Sequence, residues 1–166
     1  MLDGENTKFM RILQANMHRS KTAHELLKQI AVERESDIIV ISEQYRDMTS
    51  GWWLEDPSKT AAIWKPRGSS AVITKSGYID CCVYVTTDQC TILSCYLTPS
   101  DGIDEFQRKL DGIEDLAMSI SGPLIIAGDF NARAVEWSMQ TTDSRGRRIL
   151  DVGSRLQLIV ANRVGA

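Results

Sequence analysis

The chain has 166 residues, of which 43% are hydrophobic and 25% charged, a composition typical of one globular domain with a buried core. No apolar run is long enough to span a bilayer and the acidic N-terminus does not resemble a signal peptide, so we expect an intracellular protein. The net charge of −3 argues against a protein that coats nucleic acid non-specifically. Residues 129–166 nevertheless carry six arginines against four acids, which is compatible with a phosphate-bearing substrate.

The first third of the chain predicts a strand, a helix and a second strand. Residues 9–17, "FMRILQANM", form the first strand-like run. Ser20 is a candidate N-cap for a helix over residues 21–35, and Thr22-x-x-Glu25 also resembles a capping box. Helical spacing predicts an apolar face made by Leu26, Leu27, Ile30 and Ala31. The run "DIIVIS" is typical of a strand buried on both faces, and it ends at Glu43.

The middle of the chain is rich in strand-like runs. They are "TAAIWK", "GSSAVITK", "YIDCCVYVT" and "CTILSCYLT", separated by turn-forming residues at 66–68, 76–77 and 87–89. The last two runs predict an antiparallel hairpin. This region also holds the cysteines Cys81, Cys82, Cys90 and Cys95. Since they have neither CxxC spacing nor a histidine nearby, we expect small packing residues rather than a zinc or redox site.

The last third predicts a helix over residues 103–119, the buried strand "PLIIAGDF", a helix over residues 146–156 and a final strand "LQLIVAN". We find no linker or internal repeat, so residues 1–166 form one predicted domain. Strands alternate with helices at both ends, whereas four strands follow one another in the middle. This order favours an α/β sandwich with mixed sheets over a simple doubly wound fold.

Polar side chains stand where four of the predicted strands end: Asn16, Glu43, Tyr96 and the pair Asp129 and Asn131. Parallel strands bring their carboxyl ends to one edge of a sheet, where α/β folds place their sites. A carboxylate beside an apolar core is costly unless it is paired, hydrogen-bonded or bound to a cation. We interpret the strand-end side chains as two acids and two amides with no nearby histidine or cysteine ligand, which favours Mg²⁺ or Mn²⁺ over zinc.

Each of these residues also has an ordinary structural interpretation. Asp129 and Asn131 could hydrogen-bond the backbone of their own turn. Glu43 could be a solvated strand end, Asn16 a structural amide, and Tyr96 a packing residue with a wet hydroxyl. We expect the histidines, His18 and His24, to be surface or packing residues. The residues alone therefore indicate an α/β domain with a candidate acidic metal site.

Four segments carry a resemblance to a known family: "LQANMHRS", "VISEQY", "LSCYLTP" and "IIAGDFNARAVEW". Their order and spacing are similar to those of the endonuclease/exonuclease/phosphatase superfamily. The chain most resembles the apurinic-endonuclease-like endonuclease domains of non-LTR retrotransposons, particularly insect elements, and "TTDSRGRRILDVGSRLQLIVAN" looks like the segment that follows in that group. The resemblance covers nearly the whole chain and implies a two-sheet α/β sandwich of the DNase I-like type.

The resemblance implies a role for each strand-end residue. Asn16 would help to hold the metal and the active-site water, and Glu43 would ligate the metal. Tyr96 would contact the scissile phosphate. Asp129 would orient or deprotonate the attacking water, while Asn131 would stabilise phosphate oxygens in the transition state.

Further residues after the "GDFN" turn are candidates for contact with the substrate. Ser144 and Arg145 would shape the site or meet a phosphate, since the guanidinium group suits that contact. The alternative for Arg145, with Arg147 and Arg148, is a solvated start of a helix. Trp137 would pack the loop or face DNA.

The implied activity is that of a divalent-metal-dependent phosphodiesterase, with Mg²⁺ as cofactor and Mn²⁺ as an alternative. It would nick double-stranded DNA, in the nucleus when acting on genomic DNA. The nick would prime reverse transcription by a reverse transcriptase domain of the same polyprotein. The Ser-Asp-His box of the family does not occur in the sequence, so we expect a chain truncated at its C-terminus. Two alternatives follow: a catalytically degenerate fragment acting as a binding or structural remnant, and a phosphatase of the same superfamily acting on a small phosphoester.

Overall fold

The computed structural model describes residues 8–162 and contains two four-stranded mixed sheets. The first sheet has the order β1-β2-β4-β3 and comprises β1 (Ile12–Asn16), β2 (Ile38–Ser42), β3 (Trp52–Glu55) and β4 (Ala61–Lys65). The second has the order β5-β6-β7-β8 and comprises β5 (Ile73–Ile79), β6 (Cys82–Thr87), β7 (Thr91–Tyr96) and β8 (Leu124–Asp129). The helices are α1 (Lys21–Glu33), α2 (Ile103–Met118) and α3 (Ser144–Arg155), with a 3₁₀ turn at Val135–Trp137. The predicted α/β sandwich is confirmed.

Two parallel strand pairs determine where the site lies. The pair β1/β2 ends with Asn16 opposite Ser42, and the pair β7/β8 ends with Tyr96 opposite Asp129. Both pairs lie where the two sheets meet, with β1 against β8 and β2 against β7 and β8. The carboxyl ends of four strands, two from each sheet, therefore share one rim of the sandwich.

The core consists of three apolar clusters stacked across the sandwich. Between the sheets lie fully buried side chains, among them Ile38, Val40, Ile63, Val83, Val85 and Ile92. Helix α1 covers the outer face of the first sheet with Leu27 and Ala31. Helix α2 covers the outer face of the second sheet with Phe106, Leu110 and Ile113. Because β2 lies between α1 and the second sheet, both of its faces are buried, as predicted.

Helix α1 begins as predicted, and of its predicted apolar face Leu27 and Ala31 are buried. The Ser20 side chain caps it by accepting from the Ala23 N–H at 3.2 Å. Its buried positions are His24, Leu27 and Ala31, whereas Leu26 is 52% exposed. Leu26 was therefore wrongly predicted to face the core, because the sheet contacts the i, i+3, i+7 stripe that starts at residue 24. His24 packs edge-on against Tyr45, with ring centroids 5.7 Å apart.

Up to the start of β6 the strands differ from the prediction in three places. The first strand begins at Ile12 rather than at residue 9, and β3 is a strand that the sequence analysis did not predict. The predicted turn at residues 76–77 lies inside β5, and the chain reverses instead at Asp80 and Cys81. Gly77 occupies its strand position because the Tyr84 ring covers it, and an added Cβ would lie 2.6 Å from the Tyr84 hydroxyl oxygen. Gly77, a residue typical of turns, is here the position in β5 on which the Tyr84 ring packs from the neighbouring strand.

The last predicted strand, over residues 156–162, is absent from the structure of residues 8–162. Those residues carry no strand assignment and Ile159 is 90% exposed. Strand β8 was predicted to be buried but is only half-buried, because within the described range it pairs on one side alone, with β7. An apolar groove of about 760 Å³ runs between β8 and α3. No helix of the described part is long and apolar enough to cross a membrane.

Candidate active site

The strand ends bring four of the predicted residues together in two hydrogen-bonded pairs. Asn16 Nδ2, at the end of β1, donates to Asp129 Oδ2, at the end of β8, at 2.8 Å. The Tyr96 hydroxyl, at the end of β7, donates to Glu43 Oε1, just after β2, at 3.0 Å. Each pair joins one residue of the first sheet to one of the second. The rim is therefore a polar seam that closes the sandwich above its apolar core.

The position of Asp129 depends on the glycine before it. Gly128 has a φ of +131°, and an added Cβ would lie 1.9 Å from the Cys95 carbonyl oxygen of the neighbouring strand. Gln14 Nε2 donates to the Gly128 carbonyl at 2.8 Å, so β1 holds β8 at two successive residues. The peptide that carries Asp129 thereby lies close against β7, which an L-residue at position 128 would prevent.

The segment after Asp129 forms an ordinary turn and also places side chains at the rim. Asp129 Oδ1 accepts from the Asn131 backbone N–H at 3.1 Å, which is the turn-stabilising contact. Asn131 has a φ of +45° and its Nδ2 donates to the Leu97 carbonyl at 2.8 Å, leaving the second N–H of that amide for another acceptor. The turn therefore also fixes a carboxylate and an amide at the rim.

Glu43 is held in a strained backbone conformation. Its φ is +50°, a value uncommon for residues other than glycine and asparagine. Its N–H donates to the Thr60 carbonyl at 2.8 Å, and its own carbonyl accepts from the Arg19 N–H at 2.9 Å. Strain of this kind concentrates at functional sites, where the surrounding structure maintains it. The conformation directs the carboxylate towards Tyr96.

His18 is a residue at the rim that the sequence analysis assigned only to the surface or to packing. Its Nδ1 lies 3.4 Å from Glu43 Oε2, and its backbone N–H donates to Asn16 Oδ1 at 2.9 Å. The imidazole is 77% exposed and stands at the entrance of the seam. In the sequence, the signal that could have placed His18 at the rim was its position two residues after Asn16.

The Tyr96 hydroxyl keeps its proton well above neutral pH. Burial raises the pKa of this phenol, and the hydrogen bond to Glu43 and the negative charges of Glu43 and Asp129 raise it further. The hydroxyl therefore acts as a hydrogen-bond donor throughout the physiological range.

Comparisons with known proteins identify the fold. Residues 90–166 match a family model described as endonuclease-reverse transcriptase. The endonuclease domain of TRAS1, a telomere-specific non-LTR retrotransposon, is similar in structure, with a TM-score of 0.78 and 24% identity over 93% of this chain and 74% of that one. The fold is that of the endonuclease/exonuclease/phosphatase superfamily. The resemblance predicted from four sequence segments is confirmed.

Two further structures of this superfamily fold are similar. The 3′ phosphatase NExo from Neisseria, bound to a product DNA hairpin, has a TM-score of 0.67 and 14% identity over 89% of this chain and 71% of its own. A humanized D. rerio TDP2 has a TM-score of 0.58 and 14% identity over 92% and 68%. No match was found among curated proteins. The family match and the fold support a nuclease-type function in general terms.

Ser144 and Arg145 lie outside the seam. Ser144 is the exposed first residue of α3, directly after the N-cap residue Asp143. Arg145 donates from Nη1 to the Thr98 carbonyl at 3.1 Å and from Nη2 to the Asp101 carbonyl, and it stacks on Phe106. These contacts tie α3 to the loop after Tyr96, so the guanidinium group supports the site in this structure. Contact of either residue with a substrate stays a prediction.

Trp137 packs its loop. Its Nε1 donates to the Ala132 carbonyl at 3.1 Å, and its ring lines the groove beside β8. Arg148 donates to Gln107 Oε1 at 2.6 Å and thereby links α3 to α2. The start of α3 is thus partly a packing surface, while Arg147 is exposed.

The oxygen atoms of the seam fit a hard divalent cation. Residues 8–162 contain no group of three or more His, Cys, Asp or Glu side chains that could hold a metal ion alone. Mg²⁺ does not need such a group, because it keeps several waters and is commonly bound by one or two carboxylates together with substrate phosphate. Glu43 and the Asn16 amide oxygen would hold it here, and Asp129 lies beside them.

Proposed function

We propose that this chain is a Mg²⁺-dependent phosphodiesterase that nicks one strand of double-stranded DNA and leaves a 3′-hydroxyl. The observation that carries the proposal is the pair of cross-sheet hydrogen bonds, Asn16 to Asp129 and Tyr96 to Glu43, at a single rim. The family description and the TRAS1 endonuclease domain support DNA as the substrate.

In the proposed reaction a water molecule attacks the phosphorus, the bond to the 3′ oxygen breaks, and that oxygen takes a proton from solvent, which leaves a 3′-hydroxyl and a 5′-phosphate. Asp129 orients the water and accepts its proton, while Asn16 holds the carboxylate in place. The remaining N–H of Asn131 donates to a phosphate oxygen as its charge grows, and the Tyr96 hydroxyl does the same once its single proton turns from Glu43 to the phosphate. Mg²⁺, when bound at Glu43 and Asn16, neutralises part of the phosphate charge.

We further propose that the nick primes reverse transcription by a reverse transcriptase domain of the same polyprotein, acting on genomic DNA in the nucleus. The description of the matched family, which names a reverse transcriptase beside an endonuclease, supports this partner. Synthesis of cDNA from the nick in a plasmid by the whole polyprotein, compared with its Asp129→Ala variant, would test it.

Nicking of supercoiled plasmid tests the proposed reaction. We expect the wild-type chain to nick plasmid with Mg²⁺ but not with EDTA, and Asp129→Ala to lose this activity. Asp88→Ala is the matched control, because Asp88 is an exposed aspartate in the turn before β7, at the opposite end of that strand from Tyr96. Equal nicking by wild type and Asp129→Ala would contradict the assignment of Asp129. A wild-type chain that neither nicks plasmid nor releases phosphate would be the degenerate remnant named above.

A phosphomonoesterase is the second candidate, and the similarity to a 3′ phosphatase favours it. The same rim would then bind a terminal phosphate rather than an internal one. Release of inorganic phosphate from a 3′-phosphorylated DNA hairpin and from soluble phosphomonoesters, measured beside plasmid nicking, separates the two activities. Phosphate release without nicking would replace the endonuclease assignment.

A further inference from the structure

The left-handed conformation of Glu43 requires a constraint from outside its own strand. A residue other than glycine adopts φ near +50° only when its neighbours hold it there. The Thr60 carbonyl provides one contact, to the Glu43 N–H. Thr60 is itself fixed by the buried Asp56 carboxylate, which accepts from the Thr60 N–H at 2.7 Å and from its hydroxyl at 2.9 Å. One side of Glu43 is therefore anchored to the turn between β3 and β4.

Arg19 holds the other side of Glu43. Its backbone N–H donates to the Glu43 carbonyl at 2.9 Å. Its Nη1 donates to the next carbonyl, that of Gln44, at 3.3 Å, and to the Lys59 carbonyl at 2.9 Å. A single residue thus connects the segment after β1, the segment after β2 and the turn before β4.

The guanidinium group is suited to this arrangement. Both side-chain bonds come from Nη1, whose two N–H groups are fixed in the plane of the guanidinium, so this one nitrogen can bind two carbonyls whose separation is fixed. A lysine ammonium is a compact charge on a flexible stem and would not impose the same geometry. Arg19 is three residues from Asn16, so the same short segment positions both proposed metal ligands.

We propose that Arg19 is a positioning residue for the metal site, which acts through the backbone of Glu43 without touching the ion. It fixes the Gln44 and Lys59 carbonyls, keeps Glu43 left-handed and directs the carboxylate to the seam. This inference rests on the proposed function, because it assumes that Glu43 binds a divalent cation.

Binding of Mn²⁺, measured from the electron paramagnetic resonance signal of the free ion, tests the inference without relying on activity. We expect Arg19→Ala to weaken Mn²⁺ binding about tenfold, the size of one net hydrogen bond. Arg19→Lys should fall between wild type and Arg19→Ala. Arg11→Ala is the matched control and should bind as wild type does, because Arg11 also donates to a backbone carbonyl, that of Arg34, but beyond the other end of β1.

The outcomes separate this inference from the proposed function. Equal Mn²⁺ affinity in wild type and Arg19→Ala, with Glu43→Gln weakened, would overturn the role of Arg19 and leave the metal site intact. No Mn²⁺ binding by wild type, either alone or with a DNA duplex present, would overturn the proposed metal dependence and the role of Arg19 with it. Thermal melting of every variant checks folding. If Arg19→Ala does not fold, the Mn²⁺ affinity of Arg19→Lys is compared with that of Arg11→Lys. Equal affinities would then overturn the role of Arg19.

Discussion

Gly128 is the position where a single methyl group should most disturb both the fold and the site. In Gly128→Ala the new Cβ would lie 1.9 Å from the Cys95 carbonyl oxygen and 2.8 Å from the Cys95 nitrogen. Cys95 cannot retreat freely, because it is fully buried and its Sγ lies 3.4 Å from Cys82 Sγ. Strands β7 and β8 must therefore separate at the residue before Asp129.

The expected cost has two parts. An L-residue at a φ of +131° strains the backbone by about 1–3 kcal/mol, and forcing a methyl group into a packed contact costs about another 1–3 kcal/mol. We therefore expect Gly128→Ala to lower the free energy of unfolding by about 2–6 kcal/mol, the sum of the two parts. Urea denaturation followed by tryptophan fluorescence measures this change.

Gly122→Ala separates the two parts. Gly122 also has a positive φ, +88°, but no heavy atom lies within 4 Å of its added Cβ, so only the backbone term of about 1–2 kcal/mol remains. A loss in Gly128→Ala no larger than in Gly122→Ala would refute the argument that close approach of β8 to Cys95 sets the geometry of Asp129.

Three further changes test other parts of the structure. Asp56→Ala should lower the free energy of unfolding by about 2–4 kcal/mol, measured in urea, because the buried carboxylate accepts three hydrogen bonds. If Asp56→Ala loses less stability than Asp56→Asn does, this reasoning is contradicted. Burial, with Cys82 and Asp80 nearby, raises the pKa of Cys81 from 9.0 to about 12, so its stabilising effect is complete below pH 9 and is lost as the pH rises towards 12. The midpoint of urea denaturation should fall less steeply between pH 8 and 11 in Cys81→Ala than in wild type. Parallel curves for the two proteins would contradict this role of the Cys81 thiol. Gly153→Ala, inside α3 with open space at the added Cβ, should raise the free energy of unfolding by about 0.5–1 kcal/mol in the same assay, and a loss would mean that the helix has no room there.

The elements that the sequence predicted well are those whose pattern does not depend on a partner. Four consecutive apolar residues in β2 fit a strand buried on both faces, and the apolar spacing of α2 fits a helix on one face of a sheet. The order of strand ends, together with the family resemblance, located Asn16, Glu43, Tyr96 and Asp129 at one rim. The chemical roles of these residues remain predictions.

The errors arose where a distant neighbour decides the local structure. Ser76 and Gly77 form a good turn sequence, yet the Tyr84 ring covers Gly77 inside a strand. The run "LQLIVAN" has a strand composition, but no strand pairing forms over residues 156–162 in the described structure. The prediction of a surface position for His18 is confirmed, but the sequence did not show that the return of the chain at Glu43 brings a carboxylate to it.

The sequence by itself determined the fold class, the positions of the main strands and the residue types available at their ends, because period and composition are local properties. The tertiary structure alone decided how those ends are joined. Asn16 meets Asp129 across 113 positions of the chain, and Glu43 meets Tyr96 across 53. Glu43 is held left-handed by Arg19 and Thr60, and Asp129 is placed by a glycine that fits only against Cys95. Such contacts depend on how two sheets pack, and no local pattern encodes that packing.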